Sequence, residues 1–268
     1  MALTRAPARL VRTGAALTCL AALAAAPSAR AQDPPALQTI TFPSADSLPI
    51  TADLYAPHPP TAPFIVLFHQ AEWSRGEYRE IAPRLVEMGF NCMAVDARAG
   101  DAVEGVVNET ARRAEAAGRP HDMLDAAQDI EAGVRYARRH WAHGALVAWG
   151  SSYSASLVLR LAGTKPWLVN GVVAFSPGEY FTDPPGEPHY VADAAKHIVV
   201  PVLITSARSE EGDWREIYAA ISPSLRRRYL PDSPGRHGSS ALWKRTSGQE
   251  GYWQAVRGFL NMRFSHGR

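Results

Sequence analysis

Short apolar runs alternate with amphipathic segments along most of this chain. A short apolar run bounded by turn residues is typical of a buried strand, and apolar residues three or four positions apart are typical of a helix face. The runs predict strands at 63–68, 90–96, 145–149, 168–175, 199–205 and 228–230. The amphipathic segments predict helices at 77–88, 123–140, 154–161 and 249–264. We expect Asp122 to cap the second of these helices.

The beginning of this pattern differs, because residues 38–42 and 50–55 alternate apolar and polar positions, which predicts an antiparallel hairpin. The later strands alternate with helices, so they cannot pair as hairpins and imply parallel βαβ units with right-handed crossovers. The sequence therefore predicts an α/β fold, a doubly wound and mostly parallel sheet. Segments 99–121 and 177–197 break the alternation, and we expect them to form small cap excursions above the sheet edge.

Residues 1–31 have a different composition. An arginine-rich start precedes an apolar stretch, and Ala29 and Ala31 place small residues where a signal peptidase reads. We predict a cleaved signal peptide over 1–31, a single domain over 32–268, and a secreted or periplasmic protein. The alternatives are a retained anchor, for which a ~21 Å apolar helix is short of a ~30 Å hydrocarbon core, and a lipid anchor on Cys19, which follows a poor lipobox.

The formal charge changes with the signal peptide. The chain carries a net +2, and the predicted leader holds four arginines and no acidic residue, so the mature chain carries −2. Without grouped Lys and Arg, we expect no nucleic-acid partner. We interpret the arginine run 226–228 as a solvated strand edge or helix end. After loss of Cys19 only Cys92 remains, which excludes an intramolecular disulfide.

The candidate nucleophile lies in 149–154, where an apolar strand ends at a small residue and a helix begins. The sequence Trp-Gly-Ser-Ser-Tyr-Ser has the small-x-Ser-x-small pattern of a nucleophile elbow, with Ser152 at its centre and Gly150 and Ser154 as the small residues. A serine there lies at a helix N-terminus, where the dipole favours negative charge on a substrate oxygen. We expect the Tyr153 N–H to be an oxyanion donor. A Ser-rich turn without function is the alternative.

A serine nucleophile needs a base, and the base needs an acid to orient it. Both follow downstream in chain order. Glu210 follows the strand predicted at 199–205 and is the predicted acid, with Glu211 and Asp213 as alternatives. His237 lies in the glycine-flanked loop between the last strand and the closing helix, and it is the predicted general base.

Together these residues resemble the α/β-hydrolase superfamily, and within it the dienelactone hydrolase-like and secreted serine esterase branch, over nearly all of residues 37–264. The motifs that carry the resemblance are His69-Gln70-Ala71, the Ser152 elbow, the Glu210 loop and His237-Gly238. The resemblance implies acyl transfer to serine followed by hydrolysis, with the N–H groups of Ala71 and Tyr153 as oxyanion donors and with no metal or organic cofactor. It makes His69 a structural residue rather than a base.

The chain departs from the family pattern at three positions. Gln70 stands where Gly usually follows the oxyanion-loop His, Ser154 replaces the elbow Gly, and Glu210 replaces the commoner Asp. The dienelactone hydrolases proper use cysteine as nucleophile, so their substrate is not carried over to this chain.

The combined prediction is a serine hydrolase that acts on a small-molecule carboxylic ester through a Ser-His-Glu triad and an acyl-enzyme. An amidase or peptidase, or an acyltransferase, would use the same residues, and a non-catalytic binding protein would keep the fold without a competent triad. We expect no stable membrane insertion after signal cleavage. The candidate pocket residues are Gln70, Trp73 and Tyr180, with the aromatic Phe181 and Tyr190 near the last of them.

Overall fold

The computed structural model of the protein describes residues 1–3, 37–181 and 189–264. The signal peptide predicted at 1–31 lies outside these ranges except for its first three residues, and so do residues 182–188 of the second predicted excursion. The strands are β1 (Gln38–Pro43), β2 (Pro49–Tyr55), β3 (Phe64–Phe68), β4 (Asn91–Val95), β5 (Ala102–Val103), β6 (Val106–Val107), β7 (Leu146–Ser151), β8 (Gly171–Phe175), β9 (Val202–Thr205) and β10 (Arg226–Tyr229).

Helices and short 3-10 turns connect these strands. The helices are α1 (Ile81–Glu87), α2 (Glu109–Ala116), α3 (Ala127–His140), α4 (Tyr153–Thr164), α5 (Tyr190–Ala195), α6 (Glu211–Ala220) and α7 (Gln249–Phe264). The 3-10 turns are Arg75–Tyr78, Pro166–Leu168, Arg208–Glu210 and Ser239–Leu242.

One eight-stranded sheet has the order β1-β2-β4-β3-β7-β8-β9-β10. The pairs β1–β2 and β2–β4 are antiparallel, whereas the other neighbours in this sheet are parallel. Parallel neighbours require crossover connections, and the helices α1, α3, α4, α5 and α6 lie in them. The predicted fold class, a mostly parallel α/β sheet entered through a hairpin, is confirmed.

Helices cover both faces of the sheet, so its central strands are apolar on both faces. Along β3, Phe64, Val66 and Phe68 enter the core beneath α3, α4 and α6, while Ile65 and Leu67 enter the core beneath α1 and α7. Burying a side chain of this size stabilises the fold by roughly 1.5–3 kcal/mol. The two cores fix the strand ends from which the site is built.

Helix α3 begins at Ala127 rather than near residue 123. The prediction that Asp122 caps it is wrong, because Ala126 occupies the N-cap position and makes no side-chain capping bond. The Asp125 carboxylate instead accepts the Asp122 N–H at 2.9 Å. Such a local side-chain bond competes with the helix and holds the preceding residues in a turn.

Helix α6 was not predicted from the sequence. Only Trp214 and Ile217 of this helix are buried, so its apolar stripe is narrow. Strand β8 begins at Gly171, later than predicted, because the 3-10 turn Pro166–Leu168 precedes it. Neither difference changes the order of the sheet.

The predicted excursion 99–121 contains the β5–β6 hairpin and α2. The Thr51 N–H in β2 donates to Thr110 Oγ1 in α2 at 3.0 Å. Because Ala52 pairs with Val95, Thr51 lies beside the carboxyl end of β4. The excursion therefore packs at the edge where the parallel strands end, as expected.

The arginine run 226–228 forms β10, an edge strand, which confirms the first of its two interpretations. Arg228 Nη1 lies 2.6 Å from Glu211 Oε1, and the Arg226 guanidinium lies 4.5 Å from the centre of the Tyr218 ring. In the described ranges, no helix has both the length and the apolar character needed to cross a bilayer.

Candidate active site

Ser152 lies between the end of β7 and the start of α4, with φ 59° and ψ −124°. A positive φ is uncommon for a residue other than glycine, and at a strand-to-helix turn it is typical of a nucleophile elbow. The turn is tight enough to require glycine at position 150, because a Cβ there would lie 2.4 Å from Ala155 N and 2.4 Å from Ser154 O. Local packing therefore forces the Ser152 conformation.

Ser154 fits in place of the usual glycine because its hydroxyl is fully hydrogen-bonded. It accepts the Ser151 N–H at 2.8 Å and lies 2.8 Å from Phe68 O and 2.9 Å from Ser151 O. Phe68 is the last residue of β3. The Ser154 hydroxyl thus links the elbow by a hydrogen bond to β3, the strand that precedes His69.

His237 and Glu210 are in direct contact, with 2.8 Å between His237 Nδ1 and Glu210 Oε1. The Nδ1–H donates to the carboxylate, which leaves Nε2 as an acceptor. The bond from Glu210 raises the pKa of His237 despite partial burial. Burial raises the pKa of Glu210, but the bonds from His237 and Ser176 outweigh burial and hold that pKa below its usual value.

The two alternative acids lie elsewhere. Glu211 is in α6 and pairs with Arg228, and Asp213 is exposed on the same helix. The structure therefore brings Glu210, and neither alternative, against His237.

The loop that carries His237 packs directly on the elbow. The Gly238 N–H donates to Ser176 Oγ at 2.9 Å, and the Ser239 N–H donates to Ser151 Oγ at 2.8 Å. Gly238 has φ 68°, and a Cβ there would lie 2.4 Å from Gln70 Oε1 and 2.6 Å from Ser151 Oγ. Only glycine permits this close approach.

The Ser152 side chain lies near the Tyr180 hydroxyl, close enough to act on the pKa of that phenol, which burial raises. The Tyr180 hydroxyl donates its single hydrogen to Ser176 O at 2.8 Å. No hydrogen bond of the described residues joins Ser152 directly to His237. Nucleophile and base are often further apart in structures without substrate, and a rotation of the Ser152 hydroxyl changes its partner.

The oxyanion donors predicted from the sequence lie just beyond the carboxyl ends of the neighbouring strands β3 and β7. Tyr153 is the first residue of α4, and Ala71 follows β3 in the loop that begins with His69. His69 anchors this loop: its Nδ1 lies 2.8 Å from Gln70 O, and its Nε2 accepts the Ala97 N–H at 3.0 Å. Burial lowers the pKa of His69 to about 4. A neutral, fully bonded His69 suits the structural role.

The three candidate pocket residues differ in their contacts. Tyr180 lies near Ser152. Gln70 Oε1 is buried without a hydrogen-bond partner and faces Gly238. Trp73 stacks on Trp243 with 5.1 Å between ring centroids and 3° between planes, so its ring packs against the protein. A place for Gln70 and Trp73 in a substrate pocket stays a prediction.

Sequence reasoning missed Ser176 and Glu77. Ser176 follows the carboxyl end of β8 with φ 54°, bonds Tyr180 and Gly238, and helps lower the pKa of Glu210. Glu77 is fully buried and bonds Ser151 and Gln70. The position of Ser176 directly after a strand was the only signal for it, and nothing in the sequence around Glu77 marked it as a buried residue. Among the residues that the structure describes, no group of three or more His, Cys, Asp and Glu could hold a metal ion.

The sequence matches no protein-family model and no curated protein. Solved structures do match the fold. A dienelactone hydrolase from Anabaena variabilis superposes with a TM-score of 0.66 at 16% identity, covering 87% of this chain and 100% of the other. An esterase from Pyrococcus furiosus gives 0.61 at 15% identity over 85% and 91%. Est1E from Butyrivibrio proteoclasticus, with ferulic acid bound, gives 0.63 at 16% identity over 84% and 98%.

Proposed function

We propose that this chain, which has the α/β-hydrolase fold, is a serine hydrolase that cleaves carboxylic esters of small molecules. In this proposal Ser152 is the nucleophile, His237 is the general base, and Glu210 orients the base. The observation that carries the proposal is the strained Ser152 turn at the start of α4, with the His237–Glu210 pair on a loop packed against that turn.

Acylation begins when the Ser152 hydroxyl turns toward His237 Nε2 beside a bound ester. Ser152 Oγ attacks the carbonyl carbon as Nε2 takes its proton, and the carbonyl electron pair moves to oxygen. The N–H groups of Ala71 and Tyr153 stabilise the oxyanion, and Glu210 stabilises the imidazolium. Collapse of the intermediate breaks the bond to the alkoxide, which takes the proton from His237.

Deacylation repeats these steps with water in place of Ser152. His237 Nε2 removes a proton from water as its oxygen attacks the acyl carbonyl. The second tetrahedral intermediate then expels Ser152 Oγ, which recovers its proton from His237. Free acid leaves, and the chain needs no cofactor for this sequence.

The neighbours of similar fold support an ester substrate, since they include a dienelactone hydrolase and an esterase, and one neighbour holds ferulic acid. Tyr180 lies beside the nucleophile, where an aromatic ring can contact the acyl group of such a substrate. We further propose that residues 1–31 direct the protein to the periplasm or the exterior, where soluble esters are available to it.

The proposal is tested with a panel of aryl and alkyl esters, a lactone, a ferulate ester and a matched anilide. We expect ester hydrolysis by the mature protein and a fall in kcat on the order of 10⁶-fold in Ser152→Ala, by analogy with serine proteases. Ser224→Ala, the same change at an exposed serine, is the control and should retain full activity. Ester hydrolysis retained in Ser152→Ala would exclude the assignment. Cleavage of the anilide would favour an amidase or peptidase instead, and transfer of the acyl group to an added alcohol would favour an acyltransferase.

A further inference from the structure

A second acidic side chain lies beneath the elbow, and the proposed chemistry does not use it. Glu77 belongs to the 3-10 turn Arg75–Tyr78 and is fully buried. Acidic residues are rarely buried to this extent unless they are paired. The described residues offer Glu77 hydrogen-bond donors, but none of them is a Lys or Arg.

Both carboxylate oxygens of Glu77 accept a hydrogen bond. Oε1 accepts the Ser151 hydroxyl at 2.7 Å, and Oε2 accepts the Gln70 N–H at 2.9 Å. The backbone carbonyl of Glu77 accepts Trp243 Nε1–H at 2.8 Å. Glu77 is therefore fixed in place from three directions.

The bond to Gln70 acts on the oxyanion loop. Gln70 directly precedes Ala71, whose N–H is the proposed oxyanion donor. His69 fixes the other side of the Gln70 residue by bonding Gln70 O at 2.8 Å. Glu77 and His69 together set the orientation of the backbone that leads to Ala71, and an oxyanion donor works only when it points at the developing charge.

The bond to Ser151 acts on the base loop. Ser151 Oγ accepts the Ser239 N–H at 2.8 Å and donates its own hydrogen to Glu77. Ser239 Oγ in turn accepts Trp149 Nε1–H at 2.9 Å. Because Ser239 lies two residues after His237, this chain of bonds holds the base loop on the residue that precedes the nucleophile.

The charge of Glu77 also reaches the base. Burial raises the pKa of Glu77 to about 7, although its bonds to Ser151 and Gln70 and the nearby His237 favour the charged form. In return, Glu77 contributes, after Glu210, to the raised pKa of His237, and Asp213 contributes less. The other titratable groups that face Glu77 are Tyr78 and Tyr153, whose raised pKa values leave both neutral.

We propose that Glu77 is a positioning residue that fixes the oxyanion loop and the base loop against the elbow. At the pH values where Glu77 is ionised, its negative charge stabilises the His237 imidazolium formed during the reaction. This role rests on the proposed function. In this role the buried Glu77 carboxylate aligns two loops, the oxyanion loop and the base loop, which are far apart in the sequence.

The test compares pH profiles of ester hydrolysis for the full mature chain. Glu77→Gln keeps the shape of the side chain and removes its charge. We expect kcat to fall on the order of 10-fold with little change in KM, because the loss acts on the transition state. The acid limb of the kcat/KM profile should move to lower pH, because the imidazolium loses a favourable charge.

Two further variants control this comparison. Glu87→Gln is the same substitution at an exposed residue of α1 and should match the wild type in both readouts. Glu77→Asp keeps the charge on a shorter side chain. This variant tests the positioning role even if Glu77→Gln does not fold. We expect Glu77→Asp to retain the acid limb near its wild-type position with a lowered kcat.

An acid limb at the wild-type pH in folded Glu77→Gln would overturn the proposal, whatever happens to kcat, because a purely structural carboxylate would leave the limb in place. A wild-type kcat in Glu77→Asp would overturn the positioning role. Failure of the proposed function has a different signature: the wild type itself would be inactive, and Ser152 would not react with a fluorophosphonate.

Discussion

Ser176 links three parts of the site. Its Oγ accepts the Gly238 N–H at 2.9 Å and lies close enough to Glu210 to help lower the pKa of that carboxyl, and its carbonyl accepts the Tyr180 hydroxyl at 2.8 Å. The proposed base loop and Tyr180 thus both bond one residue with a positive φ. A non-glycine residue in this conformation at a ligand site is typical of strain that the surrounding structure holds in place.

Ser176→Ala removes one hydroxyl and leaves the buried Gly238 N–H without its partner. We expect a loss of about 1–3 kcal/mol in the free energy of unfolding. Glu210 loses a bond that favours its charged form, so its pKa should rise and kcat should fall. Urea unfolding and ester hydrolysis measure the two effects. Ser222→Ala, at an exposed serine, should change neither, and an unaltered Ser176→Ala would contradict the linking role.

Glu210→Gln tests the orientation of the base. The bond from Glu210 raises the pKa of His237, and the reaction needs the neutral imidazole, so activity rises with pH through that pKa. Loss of the carboxylate should lower this pKa, move the acid limb to lower pH, and reduce kcat by up to ~10⁴-fold. Glu211→Gln is the matched control. Equal losses in the two variants would argue against Glu210 as the acid.

The strand–turn–helix element formed by β7 and α4 carries Ser152, the proposed nucleophile, and its geometry leaves no space for a side chain at position 150. We expect Gly150→Ala to destabilise the fold by several kcal/mol and to abolish Ser152 reactivity, because the new Cβ would lie 2.4 Å from two backbone atoms that cannot move separately. Thermal unfolding and the rate of Ser152 modification measure this. Gly258→Ala, where a Cβ meets nothing within 4 Å, should be tolerated.

The same element explains what the sequence could predict. The elbow is local: strand, small residue, serine and helix are contiguous, so spacing alone indicated Ser152. Glu210 and His237 followed from chain order. Glu77 and Ser176 could not be predicted, because their partners Ser151 and Gly238 lie far away in sequence and become neighbours only when β3, β7 and β8 align. The start of α3 was missed because a single Asp125 side-chain bond outweighed the apolar spacing.

At the scale of the whole molecule, the buried carboxyl of Glu77 should make stability depend on pH. Its pKa is about 7 in the folded chain against a usual 4.5, so the folded state holds the extra proton between these values. Stability should therefore fall as pH rises from about 5 to above 7, by up to ~3 kcal/mol from this group.

Other buried groups titrate in the same range, so the measurement is a difference. His69 has a lowered pKa of about 4 and Asp96 a raised pKa of about 6. Subtracting the unfolding free energies of Glu77→Gln from those of the wild type at each pH isolates Glu77. A difference that stays constant from pH 5 to 8 would mean that the pKa of Glu77 is not raised.

The mostly parallel sheet with helices on both faces was predictable, because the spacing of apolar residues indicates which side chains are buried and therefore how the layers pack. The order of the strands was not predicted. Helix α6 was not, since Trp214 and Ile217 alone give too narrow an apolar stripe. The signal peptide at 1–31 is still a prediction from sequence, and N-terminal sequencing of the exported protein tests whether the mature chain begins at Gln32.

The central claim is that Ser152 is activated by His237. The most direct measurement treats the purified mature protein, Ser152→Ala and His237→Ala with a fluorophosphonate and locates the adduct by peptide mass spectrometry. The account predicts one adduct on Ser152, absent from Ser152→Ala and formed far more slowly in His237→Ala. A folded wild type that remains unlabelled, or labelling at Ser152 that does not depend on His237, would contradict it.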